Sequence, residues 1–393
     1  MPTAEYDVIV YGASGYTGRL VAEYLSQTYG QGDSVSWAMA GRNADKLAEV
    51  KTEIGAPATT DILTADASDA AALADLAGRT RCIISTTGPY QLYGEKLIEA
   101  CVEAGTGYVD LCGEVNFMHA MIDKHQSRAQ ETGARIVFSC GFDSIPFDLG
   151  VFFLQEEAKK RFGAPLPHVR GRVRSMNGTF SGGTFASGRA TMEALQRDPS
   201  LFDVLVNPHS LTPDAKGPAQ PADNAAREDE VLGTWLAPFV MAAINSKNVH
   251  RSNALLGHAY GRDFQYDEMM VTGSGERGKQ MAEAMAETDM FAAAGDDAPK
   301  PGEGPSKAER EAGSYDILFY GKASDGSVLK AAVQGDLDPG YGSTSRMLGE
   351  SGVCLAKDSL GIGGGFYTTA AAFGDHLIRR LTMNAGLRFN IED

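Results

Sequence analysis

Over the first 140 residues, short continuous apolar runs alternate with stretches in which apolar residues recur every three or four positions. Tyr6–Tyr11 is the first run, and Thr17–Ser26 behind it places Leu20, Val21, Tyr24 and Leu25 on one helical face. Val35–Ala40 predicts a second strand, and Asn43 caps a helix running through Leu47 and Val50. Ile62–Thr64 predicts a third strand, with Ser68 capping the alanine-rich helix behind it, and Arg81–Thr86 a fourth. Gly94–Ala104 reads as a helix closed by Gly105, and Tyr108–Leu111 as a fifth strand. Phe117–Thr132 is a helix closed by Gly133, and Arg135–Ser139 a sixth strand. These strands are apolar throughout rather than at alternate positions, so both faces of their sheet must be covered. The predicted fold class is α/β, a doubly wound parallel sheet of the Rossmann type.

The pattern changes after Phe162. Strands of mixed polarity at Val169–Met176, Tyr315–Tyr320 and Val328–Val333, with separated helices, predict a second, α+β domain. Asp296–Gly313 is rich in Pro, Gly and charge and reads as a loop. A chain of 393 residues is too long for one small core. The expected division is a dinucleotide-binding domain at 1–150 and a substrate domain at 151–343. The helices predicted at Thr344–Ala356 and Tyr367–Leu381 lie in a segment, 344–393, expected to complete the first domain.

A formal net charge of −16 argues against a nucleic-acid partner while leaving room for a local basic pocket. Apolar runs such as Val151–Leu154 are too short for a transmembrane segment, which leaves peripheral membrane contact open. Residues Met1–Glu5 lack the basic start of a signal peptide, and the five cysteines show no CxxC spacing. The expectation is a cytoplasmic protein without disulfides and without a metal site. The seven histidines form no HxxxH or HExxH pair, and no G-x-S-x-G elbow supports a serine hydrolase. Oligomeric state is not legible, and a homodimer is compatible with the chain.

The chemistry begins directly behind the first strand. Gly12-Ala13-Ser14-Gly15-Tyr16-Thr17-Gly18 is a G-x-x-G-x-x-G variant of the dinucleotide fingerprint. Gly12 permits the tight turn, Gly15 lets backbone approach a pyrophosphate, and Gly18 lets the helix pack on the sheet. Exposed N–H groups of Ser14, Tyr16 and Thr17 at a helix start favour an anion. The second strand ends Ala40-Gly41-Arg42-Asn43, without the acid that would hold a ribose 2′-hydroxyl. Arg42 is placed to grip a 2′-phosphate, with Lys46 one turn on as a second charge, and the expected cofactor is NADP(H). The plainer alternative for Arg42 is a solvated loop residue. Asp66 is placed either to accept a bond from the adenine amino group or to cap a helix. Thr87, Gly88 and Pro89, after the fourth strand, either line the nicotinamide ribose or form a structural turn.

These stretches, GASGYTG, AGRNADKL, TTGPYQLYGEKLIEAC, GTGYVDLCGE, CGFDSIPFDLG, SGGTFASG, RSNALL and PGYGSTSRMLGES, occur in order over nearly the whole chain. Together they resemble the saccharopine dehydrogenase-like oxidoreductases, and more narrowly their trans-acting enoyl reductase branch. The resemblance implies an NADP-binding domain followed by an α/β domain whose far end packs back on the first. The family includes amino-acid dehydrogenases as well as lipid and polyketide enoyl reductases, so it leaves the reaction open between them and a non-catalytic NADP-binding role.

Reduction of an enoyl thioester needs a donor for the enolate oxygen and an acid for the α-carbon. Tyr90 and Tyr93 are candidates for either role, or else packing and ribose contacts. Asp143 is a further candidate, its alternative being, with Ser144, an N-cap for the helix starting at Pro146. Ser181-Gly182-Gly183-Thr184 reads as an anion nest or an empty turn, and Gly361–Gly365 as close backbone packing or a substrate-side loop. Arg170, Arg172 and Arg174 share one strand face, either gripping a phosphate or carboxylate or facing water. Trp235, Phe239, Met241, Leu255, Leu256, Met269 and Met270 supply apolar material for an acyl tunnel. The substrate expected is a small molecule or an acyl thioester.

Overall fold

Six of the seven parallel strands of the first sheet lie where the sequence pattern puts them. A computed structural model describes residues 4–30, 34–178, 182–288 and 302–392. The strands are β1 (Tyr6–Tyr11), β2 (Trp37–Gly41), β3 (Asp61–Thr64), β4 (Thr80–Ser85), β5 (Gly107–Asp110) and β6 (Arg135–Val137). The chain then runs through β7 (His168–Asn177), β8 (Arg227–Asp229), β9 (Thr234–Pro238), β10 (Gln265–Gly273), β11 (Ser314–Lys322) and β12 (Val328–Gly335). It ends with β13 (Gly365–Tyr367) and β14 (Arg388–Glu392).

The first sheet has the order β13-β6-β5-β4-β1-β2-β3, every pair parallel. Its six early strands reproduce the 3-2-1-4-5-6 order of dinucleotide-binding sheets. Val8 and Val10 belong to one buried cluster while Ile9 and Tyr11 belong to another, as a strand covered on both faces requires. The helix Thr344–Lys357 packs across β1, β4 and β5. Its Glu350 is fully buried and accepts hydrogen bonds from Tyr24 and Tyr29, both at 2.6 Å, and pairs with Arg380 at 3.2 Å.

The second sheet has the order β14-β12-β11-β7-β10-β9-β8 and is antiparallel except for β7 with β10. The helix Ile145–Phe162 packs on β11, β12 and β14 and carries the chain from one sheet to the other. The final fifty residues are shared. Helix Thr344–Lys357 and β13 join the first sheet, and β14 joins the second.

Two local expectations are corrected, and a third is settled between its alternatives. The alanine-rich helix is capped by Asp69, whose carboxylate accepts from Ala71 and Ala72 N–H, rather than by Ser68. The helix predicted at Tyr367–Leu381 is split into β13 and two short helices, Thr369–Ala372 and Asp375–Arg380, at Gly374 with φ +48°. Gly361–Gly365 leads into β13, and a Cβ on Gly364 would stand 2.0 Å from the Ala129 carbonyl oxygen, so that run is close backbone packing. Of the loop expected at 296–313, residues 296–301 lie outside the described residues, and Lys307–Glu311 form a helical turn.

Candidate active site

The turn after β1 is shaped by what a side chain would strike. Gly12 has φ +89°, and a Cβ there would lie 2.6 Å from Thr87 Oγ1 and 2.7 Å from Thr86 Oγ1. At Gly18 a Cβ would lie 2.2 Å from the Gly12 carbonyl oxygen, so the helix Tyr16–Tyr29 can seat on the turn only through glycine. Gly15 differs: it is exposed, and a Cβ there would meet only the Gly12 carbonyl oxygen, at 3.3 Å. The space above Gly15 is open. The helix start carries no side-chain cap and no acid in its first turn, so its N–H groups and dipole are free for an anion. Thr86 Oγ1 donates to the Tyr11 carbonyl at 3.1 Å, while Thr87 Oγ1, beside Gly12, is buried with no partner. An orphaned hydroxyl next to an open, donor-rich turn fits a dinucleotide.

Gly41, at the end of β2, lies beside the same turn, its Cβ position 3.8 Å from Ser14 Oγ. Arg42, Asn43 and Lys46 follow at the surface. Asn43 accepts the Lys46 N–H at 3.0 Å and so caps its helix as expected. Asp66 accepts both the N–H and the hydroxyl of Ser68, at 2.8 and 2.6 Å, which with nearby Arg42 holds its carboxyl below the usual range. Its bonds are the local, cap-like kind. Tyr16 is drawn away from the cofactor turn: its hydroxyl donates to the Pro305 carbonyl and accepts from Arg310 at 3.1 Å, and its ring meets Tyr341 edge-on at 5.2 Å.

The two tyrosine candidates separate. Tyr90 is buried against Phe117, its hydroxyl donating to the Ser85 carbonyl at 3.1 Å and receiving the Leu111 N–H at 3.4 Å. Burial pushes this phenol well above its ordinary range, and of the alternatives for Tyr90 its contacts are those of packing. Tyr93 is 48 % exposed, outside the cluster at the strand ends.

Asp143 follows β6 at the carboxyl edge of the first sheet, as β6's order in the sheet dictates. Asp110, buried at the end of β5, accepts the N–H groups of Cys112 at 2.9 Å and Ser139 at 3.2 Å and holds the two loops side by side. Phe142 packs on Tyr315 at 5.0 Å, and its N–H donates to Thr344 Oγ1 at 2.9 Å. Ser144 sits at the N-cap of Ile145–Phe162, but its hydroxyl accepts from Asn248 at 2.8 Å rather than capping. The half-buried Asp143 between them has its pKa pushed up to about 7 by burial. Fully buried Glu268 on β10 feels its charge; Glu268 accepts from Tyr266 at 2.6 Å and Asn245 at 2.7 Å, and burial raises it to about 8.

The arginine face is corrected. Arg172 is 1 % exposed and pairs with Asp229 at 2.9 Å and Asp267 at 2.7 Å. Arg174 pairs with Asp316 at 2.8 Å and Glu392 at 2.7 Å, and Arg170 lies over the Tyr320 ring at 5.7 Å. Arg172 and Arg174 are held by carboxylates on other strands of their own sheet, which takes them from the phosphate-gripping role. Phe239 and Met269 are buried, Phe239 against Phe147 at 5.7 Å, so they fill the core rather than wall a tunnel. Of the expected nest, Ser181 lies outside the described residues, Gly182 opens the helix Gly182–Arg197, and Thr184 Oγ1 meets the Tyr341 hydroxyl at 3.1 Å. Glu114 escaped the sequence reading, although GTGYVDLCGE ends on it. A single acid after a strand carries no pattern of its own.

The model of the saccharopine dehydrogenase NADP binding domain matches residues 8–137. A Mycobacterium ulcerans protein named trans-acting enoyl reductase is 36 % identical over 405 residues, covering 96 % of each chain. A Mycobacterium tuberculosis protein provisionally given the same name is 40 % identical over 402 residues, covering 96 % of this chain and 95 % of its own. The chain belongs to the saccharopine dehydrogenase-like oxidoreductases, in the trans-acting enoyl reductase branch. This reductase-family chain is an NADP-dependent oxidoreductase, with NADP(H) as its cofactor. Its fold matches apo saccharopine dehydrogenase (L-Glu forming) from Saccharomyces cerevisiae, with TM-score 0.52 and 12 % identity over 98 % of this chain and 99 % of that one. Among the described residues, no helix of the family member is long and apolar enough to cross a membrane.

Proposed function

We propose that the protein reduces the C=C bond of an enoyl thioester or a related lipid-like substrate at the expense of NADPH. The cofactor supplies the hydride. Asp143, whose carboxyl holds its proton near neutrality, delivers a proton to the α-carbon at the carboxyl edge of the first sheet. Residues 1–150, completed by the returning helices, hold the cofactor, and 151–343 hold the substrate.

The observation that carries the substrate class is a set of exposed apolar side chains on the helix that follows the Thr86–Pro89 loop and on two helices packed near it. Leu92, Tyr93, Met192, Phe202 and Val206 are each between 48 and 58 % exposed. They stand on three neighbouring helices, Tyr90–Tyr93, Gly182–Arg197 and Leu201–Val206. Gln91 ties the first two together through Thr191 Oγ1 at 3.1 Å. An acyl chain laid on these apolar side chains gains about 0.8 kcal/mol per buried methylene, roughly fourfold in affinity. Dissociation constants for a series of enoyl thioesters should therefore fall with chain length and level off once they are covered. Affinity flat in chain length overturns the acyl reading.

A second reading, an amino-acid or imine dehydrogenase, draws on Glu268, which is buried beside Asp143 and forms no ion pair among the described residues. A substrate ammonium group would draw this carboxyl into its ionised form and pair with it. Hydride transfer tested on amino acids beside the thioester series separates the two.

Arg42 is our choice for the 2′-phosphate, since it is exposed at the end of β2. Arg42→Ala should weaken NADPH by about 2–3 kcal/mol, the size of a charge-assisted hydrogen bond, and leave NADH nearly untouched. Titration calorimetry with both nucleotides checks this, and equal losses refute it.

A further inference from the structure

Glu114 is 3 % exposed and stands at the N-cap of the helix Val115–Thr132, yet its carboxylate makes no capping bond there. It is turned outward to two other elements. Oε1 accepts the backbone N–H of Tyr90 at 2.8 Å and the hydroxyl of Ser187 at 2.7 Å, while Oε2 accepts the N–H of Gln91 at 2.9 Å. Two of these donors directly follow the Thr86–Pro89 loop. The third belongs to Gly182–Arg197, the helix that carries Met192 of the exposed apolar set. The carboxylate is thus the joint between a cofactor segment and a substrate segment.

The surroundings extend the same joint. Asn116 donates to Gln91 Oε1 at 3.2 Å, Gln91 donates to Thr191 Oγ1 at 3.1 Å, and Thr191 donates to the Ser187 carbonyl at 3.0 Å. The position of a Cβ on exposed Gly88 lies 3.8 Å from Ser187 Oγ, so Ser187 stands beside the loop itself. Bonds to an ionised acceptor are the strong ones, and a buried backbone N–H that loses its acceptor is costly. Displacement of the loop must therefore move the helix or break the seam.

We infer that Glu114 is a positioning residue that ties the Thr86–Pro89 loop to the helix 182–197, so that NADPH held at the loop orders the helix facing the substrate. The inference rests on the loop being part of the cofactor site. Binding of NADPH to the wild type should slow amide hydrogen exchange across 182–197. Ser187→Ala, which cuts one bond of the seam and none to the loop, should lose that slowing while its NADPH dissociation constant stays near the wild-type value. Ser187→Thr should restore it. Glu114→Gln, which places an amide N–H against a backbone donor, should lose the slowing and also weaken NADPH by about tenfold. If Glu114→Gln does not fold, the two Ser187 variants carry the test alone. Slowing that persists in Ser187→Ala, or is absent from a wild type that binds NADPH normally, overturns the inference. A wild type that fails to bind NADPH overturns the cofactor site and the inference with it.

Discussion

Asp143→Asn should lower the rate of reduction by about 10²–10⁴-fold, the usual contribution of a positioned general acid, with NADPH affinity preserved. Amide and carboxyl have the same shape, so the loss would be of a proton and not of packing. The pH dependence follows from the raised pKa of about 7. The acid works only while protonated, so the wild-type rate should decline as pH rises through about 7. The variant should lose that limb. Glu268 on β10 is a titrating carboxyl that feels the charge of this group, and its ionisation near 8 opposes that of Asp143 and makes the decline shallower.

Stability should move the other way. A carboxyl whose folded pKa is raised favours the fold below its unfolded pKa of about 3.9, and that contribution is lost as pH climbs through the folded value. Above pH 7 the wild type carries an anion that its surroundings resist, and the Asn variant does not. Asp143→Asn should accordingly melt higher than the wild type at pH 8, with the difference shrinking toward pH 4. Lower activity with higher stability marks a residue kept for chemistry. A variant of unchanged kcat would remove Asp143 from the mechanism.

Gly15→Val and Gly18→Ala should fail in different ways. Gly15 has φ −81° and ψ 169°, a conformation open to any residue, and its side-chain direction is unobstructed beyond the Gly12 carbonyl oxygen at 3.3 Å. Valine there should abolish NADPH binding by filling the pyrophosphate space, with apo stability within about 0.5 kcal/mol of wild type, as for an ordinary surface change. At Gly18 even a methyl group lies 2.2 Å from a backbone oxygen. Alanine there should cost about 1–3 kcal/mol of stability, as overpacking does, and weaken binding as a consequence. Thermal melts and nucleotide titrations on the two variants read this out. A Gly15→Val protein that binds normally would leave the turn with a purely structural role.

The first sheet was legible because β1, β2 and β5 are buried along their whole length and β4 at all but Arg81, so they read as near-continuous apolar runs. β13 escaped because three residues carry no period, and its pairing with β6 spans more than two hundred positions. The strands β8 and β10 escaped because they carry charged residues that the fold buries, Asp229, Asp267 and Glu268, and these break any apolar run. At the site, the glycines were legible because backbone geometry demands them. Tyr90 stayed open between chemistry and packing because sequence places it after β4 without saying which way its ring turns. The arginine face was read correctly as a face, but the acids that claim Arg172 and Arg174 come from residues 229, 267, 316 and 392. Charge pairing across strands leaves no local trace.

The helix Thr344–Lys357 lies across β1, β4 and β5, and that arrangement sets a timetable for synthesis. A ribosome adding about 5–20 residues per second needs roughly 10–40 s to travel from β6 to this helix. During that interval Ile84 and Val109, against which Gly352 of this helix packs, lack their cover. The nascent amino-terminal half is therefore a natural client for a chaperone. A gene fragment stopping short of residue 344 would yield a nucleotide-binding half with part of one face bare over β4 and β5.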